Sequence, residues 1–259
     1  MTIKSICGQI EDVLETFDTV SLAELSQASL LNRIDTKFVV PLQTLYPILS
    51  AVSHVYRVLR MNGELLHGYR SLYFDTTDFD LYYQHHNQRR PRWKVRSRQY
   101  LSNNQAFFEL KAKCANGRTS KQRIPTTTMV TAMTPETEAF LALHAPELCH
   151  RLQPKLWSEY RRATFIDPDG SERITIDTDL RFRSYHRMIT LDHLAIIELK
   201  QTNAHRISPI LQHLRAAGIR PRSFSKYCMG LLSLYPSLKH NTFKPSLRLI
   251  ERIQEASYV

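Results

Sequence analysis

Residues 92–100 read RWKVRSRQY, with Lys94, Arg96 and Arg98 at every second position and Trp93 and Val95 between them. Successive side chains of a β-strand point to opposite faces, so this alternation predicts a strand with one cationic and one apolar face. Comparable alternation at about 33–40, 67–75, 106–113, 119–125, 157–166, 172–180 and 194–201 brings the predicted strands to about eight. Helical spacing predicts a lead-in over the first thirty residues, with Val13, Leu14 and Phe17 on one face and Ser21 and Glu24 placed as a capping box. Further helices are predicted after Pro41, at about 77–85, at 135–144, in SPILQHLRAAG up to its stop at Gly218, and in the tail PSLRLIERIQEASYV.

The polar faces share a bias. Arg33, Asp35 and Lys37 oppose Ile34, Phe38 and Val40; Glu109, Lys111 and Lys113 oppose Phe108, Leu110 and Ala112. Arg173, Thr175 and Asp177 oppose Ile174 and Ile176, and Glu198 and Lys200 oppose Ile197 and Leu199. Ser71, Tyr73 and Asp75 oppose Leu72 and Phe74, while Lys121 is in phase with Arg123 and Tyr160 with Arg162. A solvated sheet face normally mixes Thr, Ser, Glu, Lys and Gln, whereas these faces are dominated by cations. With the apolar faces turned inward, the helices would have nothing apolar to pack on. The expected fold is therefore α+β: an eight-stranded antiparallel β-barrel tunnel with a charged lumen and helices packed on its outside. It is expected as a single domain, with a helical lead-in at 1–30, a tunnel core at 31–235 and a C-terminal helix at 236–259.

Composition narrows the partner. The formal charge of +11 calls for a polyanion: nucleic acid, an anionic membrane or a phosphorylated small molecule. Cys7, Cys114, Cys149 and Cys228 lie far apart, with neither a signal peptide nor zinc spacing, which fits a reducing cytoplasm. No apolar run approaches the roughly 18 residues of a membrane span, so no integral membrane segment is expected. Nucleic acid would be stacked by aromatic rings on the basic face, but Trp93, Phe38, Phe74, Phe108 and Phe165 fall on the apolar face, against a nucleic-acid partner. The seven glycines include no phosphate-binding P-loop motif. His85 and His86 are adjacent, cannot share a face, and read as a solvated loop; RRPR at 89–92 reads as a positive mouth to the tunnel.

Cations converging on a lumen repel one another unless carboxylates and a bound polyanion offset them. A hard divalent ion bridging phosphate oxygens usually takes one or two carboxylates from protein, and Glu198 is the first choice, ahead of Glu109 and Asp177. Its other reading is a salt bridge to a lumen cation.

The segments LLNRIDTKFVVP, YRSLYFDT, KVRSR, FFELKAK, SKQRI, YRR, RITIDTDLR, AIIELK and SFSKY, in that order, resemble the VTC domain. This is the polyphosphate polymerase branch of the triphosphate tunnel metalloenzyme (CYTH-like) superfamily. The resemblance implies a tunnel that binds a nucleoside triphosphate with Mn or Mg and passes its terminal phosphoryl group to inorganic polyphosphate. The family's phosphate-binding positions fall on Lys37, Arg96, Arg98, Lys111, Lys121, Arg162, Arg173 and Lys226, its metal-binding glutamate on Glu198, and its tyrosine on Tyr160. Lys94, Arg123 and Lys200 join them from the face pattern. The catalytic set is thus expected to be Lys37, Arg96, Arg98, Lys111, Arg162 and Lys226, and the substrate-binding set Lys94, Lys121, Arg123, Tyr160, Arg173 and Lys200. Strand one carries Arg33, Asp35 and Lys37 where the phosphatase branch has E-x-E-x-K, which favours polymerase over hydrolase. A triphosphate hydrolase and a non-catalytic polyphosphate binder are the alternatives.

Overall fold

The computed structural model describes residues 3–27, 34–202 and 208–257. In chain order the elements are α1 (Ile3–Leu14), β1 (Asp18–Val20), α2 (Leu22–Gln27), β2 (Ile34–Pro41), α3 (Leu45–Val52), β3 (Arg57–Leu59), β4 (His67–Asp75), α4 (Asp80–His86), β5 (Arg92–Tyr100), β6 (Ala106–Lys113), β7 (Thr119–Thr126), α5 (Pro135–His144), β8 (Gln153–Ile166), β9 (Glu172–Arg183), β10 (Met188–Leu191), β11 (Leu194–Gln201), α6 (Pro209–Ala216), α7 (Lys226–Leu234) and α8 (Lys244–Ser257). The capping box read at Ser21 and Glu24 is formed: the Ser21 N–H donates to Glu24 Oε2 at 2.9 Å and the Glu24 N–H to Ser21 Oγ at 3.3 Å. Arg33 lies outside the described residues.

All eight expected strands are present and run antiparallel in the order β2-β11-β9-β8-β4-β5-β6-β7. The closed eight-stranded barrel is not what forms. Three short strands bring the sheet to eleven, with β1 parallel to β3, β3 on β8 and β10 on β9. Among the described residues the two ends, β2 and β7, share no ladder, so the sheet curls without closing. Alternation reports which way a side chain points; whether two edges meet depends on strand tilt and stagger, which it does not encode.

The apolar outer face is covered by helices, as the patterning requires. Phe38, Val40, Ile174, Ile176, Ile197 and Leu199 pack with side chains of α1, α3 and α6. On the other half of the sheet, Phe108 meets Phe140 of α5 edge-on, with ring centroids 5.8 Å apart.

One end of the inner face is apolar too. β9 takes an extra residue between Thr178 and Arg181 relative to β8, where Asp179 has φ 52°. Such a bulge shifts the two-residue period. Asp177 therefore faces inward with the charges, while Leu180 and Phe182 beyond the bulge join Leu156, Leu194 and Ile196 in the core beneath α7. Helix α7 sits so close that a Cβ on Gly230 would lie 2.6 Å from Phe182 and 2.9 Å from Leu156. Asp75 ties this helix to the sheet: its buried carboxylate accepts the N–H groups of Thr76, Leu81 and Tyr82 at 2.7, 2.9 and 3.1 Å and the hydroxyl of Tyr227.

His85 and His86 do not form a solvated loop. They end α4; His86 is buried, and the His85 ring bonds through Nε2 to the Trp93 carbonyl at 2.9 Å. The helix turns the adjacent rings to different neighbours, both within the fold.

Candidate functional site

The curled inner face encloses a cavity of about 440 Å³. Among the described residues six lysines and four arginines line it, against four carboxylates: Asp35, Glu109, Asp177 and Glu198. β5 contributes Lys94, Arg96 and Arg98, β6 Glu109 and Lys111, β7 Lys121, β8 Tyr160 and Arg162, β9 Arg173 and Asp177, β11 Glu198 and Lys200, and β2 Asp35 and Lys37. The floor is the start of α7, where Ser225 caps the helix by accepting the Cys228 N–H and Lys226 points into the cavity.

Three of the carboxylates each hold two cations. Glu109, almost wholly buried, accepts from Arg96 Nε at 2.6 Å and meets Lys121 Nζ at 2.6 Å. Asp177 receives Arg162 through two nitrogens, at 2.5 and 2.8 Å, and Lys226 on its second oxygen. Glu198 lies 3.2 Å from Lys37 and 3.1 Å from Lys200. Burial alone would raise these acids, but the cations outweigh it, holding Glu109 at about 2 and Asp177 and Glu198 well below the usual carboxylate range.

The remaining cations are balanced less fully. Among the described residues Arg98, 7% exposed, donates to neutral oxygens, Ser71 Oγ at 3.1 Å and Tyr160 Oη at 2.9 Å. Lys94 donates to Ser225 Oγ at 2.9 Å. Lys111 has no hydrogen-bond or ion-pair partner among the described residues; burial in the concavity, with Lys94 and Lys37 beside it, lowers it to about 8. Tyr73, which accepts from Arg96 Nη1 at 3.3 Å, is raised by burial but lowered more by Arg96, Arg98 and Lys94, ending at about 8.

Those two groups set a pH dependence. As pH rises through about 8, Lys111 loses a positive charge and Tyr73 gains a negative one, so both changes weaken anion binding. Affinity for a polyanion in this cavity, with inorganic triphosphate as the probe, is therefore expected to fall between pH 7 and 9, with proton uptake on binding in that range. Calorimetry in buffers of different ionisation enthalpy measures the uptake; Lys111→Met together with Tyr73→Phe should flatten the profile, and an unchanged slope would assign it to other groups.

The cavity gathers twelve of the thirteen site residues expected from sequence. Arg123 is the exception, lying over the Phe107 ring with its guanidinium carbon 4.4 Å from the centroid. Arg173 lines the cavity but donates to the Leu25 carbonyl at 2.6 Å. Sequence reading passed over Tyr69, Tyr100, Phe224 and Ser225, which line it as well. Tyr69 and Tyr100 are in phase with the charges and were legible from the same alternation; Phe224 and Ser225 precede α7, which was not predicted as a helix.

A second cavity of about 280 Å³ shares Lys37, Lys94, Lys111, Phe224 and Ser225 with the first and adds Arg92 of the expected basic mouth. Among the described residues no carboxylate lines it. A third, of about 410 Å³ beside α1, is lined by Glu11, Glu15 and Glu64 with Arg161 and suits no polyanion.

Among the described residues no three His, Cys, Asp or Glu side chains cluster as a metal cage. The donor set instead suits a hard ion shared between one or two protein carboxylates and substrate phosphate oxygens, the usual arrangement for Mg²⁺. Glu198 makes the salt bridges of its other reading, to Lys37 and Lys200, and would be the carboxylate to hold such an ion if one bound.

Fold and cavity define an antiparallel β-protein whose cation-rich face turns inward on a cavity. The VTC domain family model matches residues 32–235, and the chain belongs to that family. No curated protein sequence matches it. Among solved structures it is similar to HpAC1 of Hippeastrum, described as an adenylyl cyclase candidate with a dominant triphosphatase activity, at 17% identity and a TM-score of 0.49 over 76% of this chain and 94% of that one. It is also similar to an adenylate cyclase candidate of Vibrio parahaemolyticus, at 12% identity and a TM-score of 0.45 over 77% and 97%. No helix among the described residues is long and apolar enough to cross a membrane.

Proposed function

We propose that this protein is a polyphosphate polymerase that transfers the terminal phosphoryl group of a nucleoside triphosphate to an inorganic polyphosphate chain. The observation that carries the reading is a cavity lined, among the described residues, by ten Lys and Arg side chains, whose three ion clusters leave Arg98, Lys94 and Lys111 without a carboxylate there. Such a site gains most from a ligand with closely spaced negative charges. Membership in the VTC family supports the polymerase form, and so does the second basic cavity, which offers an acceptor chain a path to the same centre through Lys37, Lys94 and Lys111.

In this mechanism an oxygen of the acceptor's terminal phosphate attacks the donor's γ-phosphorus in line, and the bond to the β–γ bridging oxygen breaks to release the nucleoside diphosphate. Little covalent chemistry is asked of the protein, only positioning and charge stabilisation. Arg96, Arg98 and Arg162 offer planar forks to phosphate oxygens; Lys37, Lys111 and Lys226 supply point charges. Lys94, Lys121, Lys200, Arg173 and Tyr160 hold the rest of the chain. A divalent ion, Mn or Mg, held by Glu198 would neutralise charge on the donor phosphates.

Incubation with ATP and Mn followed by gel separation of polyphosphate lengths tests the reading: chains longer than three phosphates are expected, and orthophosphate alone would make the protein a hydrolase. Melting in parallel tests the cavity. A ligand of the folded state stabilises it by about 2.7 kcal/mol at a hundred times Kd, which raises Tm by several degrees for a chain of this size. Triphosphate should do so, orthophosphate much less, and duplex DNA, too wide to enter, least at matched phosphate concentration.

A further inference from the structure

We infer that Tyr100, which lines the cavity, forms a nucleobase platform with Phe107 and Arg123, which continue from it outside the lining. The inference rests on the reading of the cavity as a triphosphate site, and it assigns the ligand a nucleoside end and a direction.

Phosphate binding does not explain the rings on the inner face. The π-face of a ring is electron-rich and gives a bare polyphosphate nothing, while a base stacks on it readily. Tyr160 and Tyr69 lie parallel at 5.2 Å, Tyr69 and Tyr100 are 5.1 Å apart, and Tyr100 and Phe107 5.9 Å, a ladder leading from the phosphate-binding centre to the rim. Its inner rungs have another use, because Arg98 and Arg162 both pack over Tyr69 and Tyr160. Neither arginine reaches the outer rungs in this way.

Arg123 completes the platform. It pairs in register with Glu109, but that carboxylate is taken by Arg96 and Lys121, and Arg123 instead lies on Phe107. It is exposed, so a base can stack on a guanidinium already held over the ring beneath.

The second cavity is a poorer place for a base. Lys37, Arg92, Lys94, Lys111 and Lys113 dominate it; Phe224 is buried, and the Phe243 ring packs on Tyr82 and His86. With the base at Arg123, the phosphates run inward past Arg98 and Arg162 towards Arg96, Lys226 and Glu198.

Calorimetric titration of the full chain with ATP and with inorganic triphosphate, at one salt concentration, tests this. Arg123→Lys keeps the charge and removes the plane; Phe107→Leu removes the supporting ring. Each is expected to weaken ATP about tenfold, the loss of one base stack, and to leave inorganic triphosphate within twofold. Equal losses for the two ligands, or no loss for ATP, would overturn the platform. Should Phe107→Leu fail to fold, the exposed Arg123→Lys carries the test alone. Wild-type protein that binds triphosphate but not ATP would remove the platform and leave the cavity reading standing; binding of neither would remove both.

Discussion

Arg98→Ala is expected to lower turnover at least about a hundredfold while the protein melts at or slightly above its wild-type temperature. The activity loss follows from removing a buried guanidinium aimed where charge must be stabilised; single donors of this kind are typically worth 10²–10³ in rate. The unchanged melting follows from its partners. Arg98 donates to Ser71 and Tyr160, so its loss strands no carboxylate and relieves repulsion among the neighbouring cations. Arg96→Ala makes the contrast, because it leaves the almost wholly buried Glu109 with Lys121 alone. An under-satisfied buried charge costs about 1–3 kcal/mol or more, so that variant should lose both turnover and several degrees of Tm. Paired melting and activity measurements separate them. If Arg98→Ala melts lower yet keeps its specific activity, the side chain belongs to the scaffold and the cavity is not where transfer occurs.

Glu198→Gln is expected to cut turnover by a comparable factor and to shift the metal dependence to higher Mn or Mg. The substitution preserves shape and removes the charge a hard ion requires. Nucleotide should still bind through the surrounding cations. Stability should fall modestly near neutral pH, since the Glu198 carboxylate, held well below its usual range by Lys37 and Lys200, favours the folded state above the unfolded-chain value and loses that contribution as pH drops. Metal titrations of activity and of calorimetric binding provide the check. An unchanged rate and metal profile would pass the ligand role to Asp35, Glu109 or Asp177.

The alternation of charge and apolar bulk in RWKVRSRQY, FFELKAK and AIIELK carried the facing of the candidate site side chains, because a two-residue period is a local property that any stretch of chain displays in its own letters. It placed Lys94, Arg96, Arg98, Lys111, Glu198 and Lys200 on one face, and the need of the helices for an apolar surface turned that face inward. The same period puts Tyr69 and Tyr100 on the basic face, although only the rings of the apolar face were weighed in judging what that face could stack.

Pairing among those side chains was decided by tertiary structure. That Glu109 holds Arg96 and Lys121, that Asp177 holds Arg162 and Lys226, and that Arg98 donates to Tyr160 instead of a carboxylate depends on contacts between residues up to 62 positions apart. The bulge at Asp179, which turns the end of β9 from charge to core, is one extra residue that disrupts no local pattern and shows only against β8. Helix α7, hydrophobic nearly all round because it is buried, offers no amphipathic stripe to recognise, yet it closes the floor and brings in Lys226. Whether β7 meets β2 depends on stagger accumulated over the whole sheet, and so the open curl, its second basic cavity and the rim at Arg123 follow from how distant strands settle against one another.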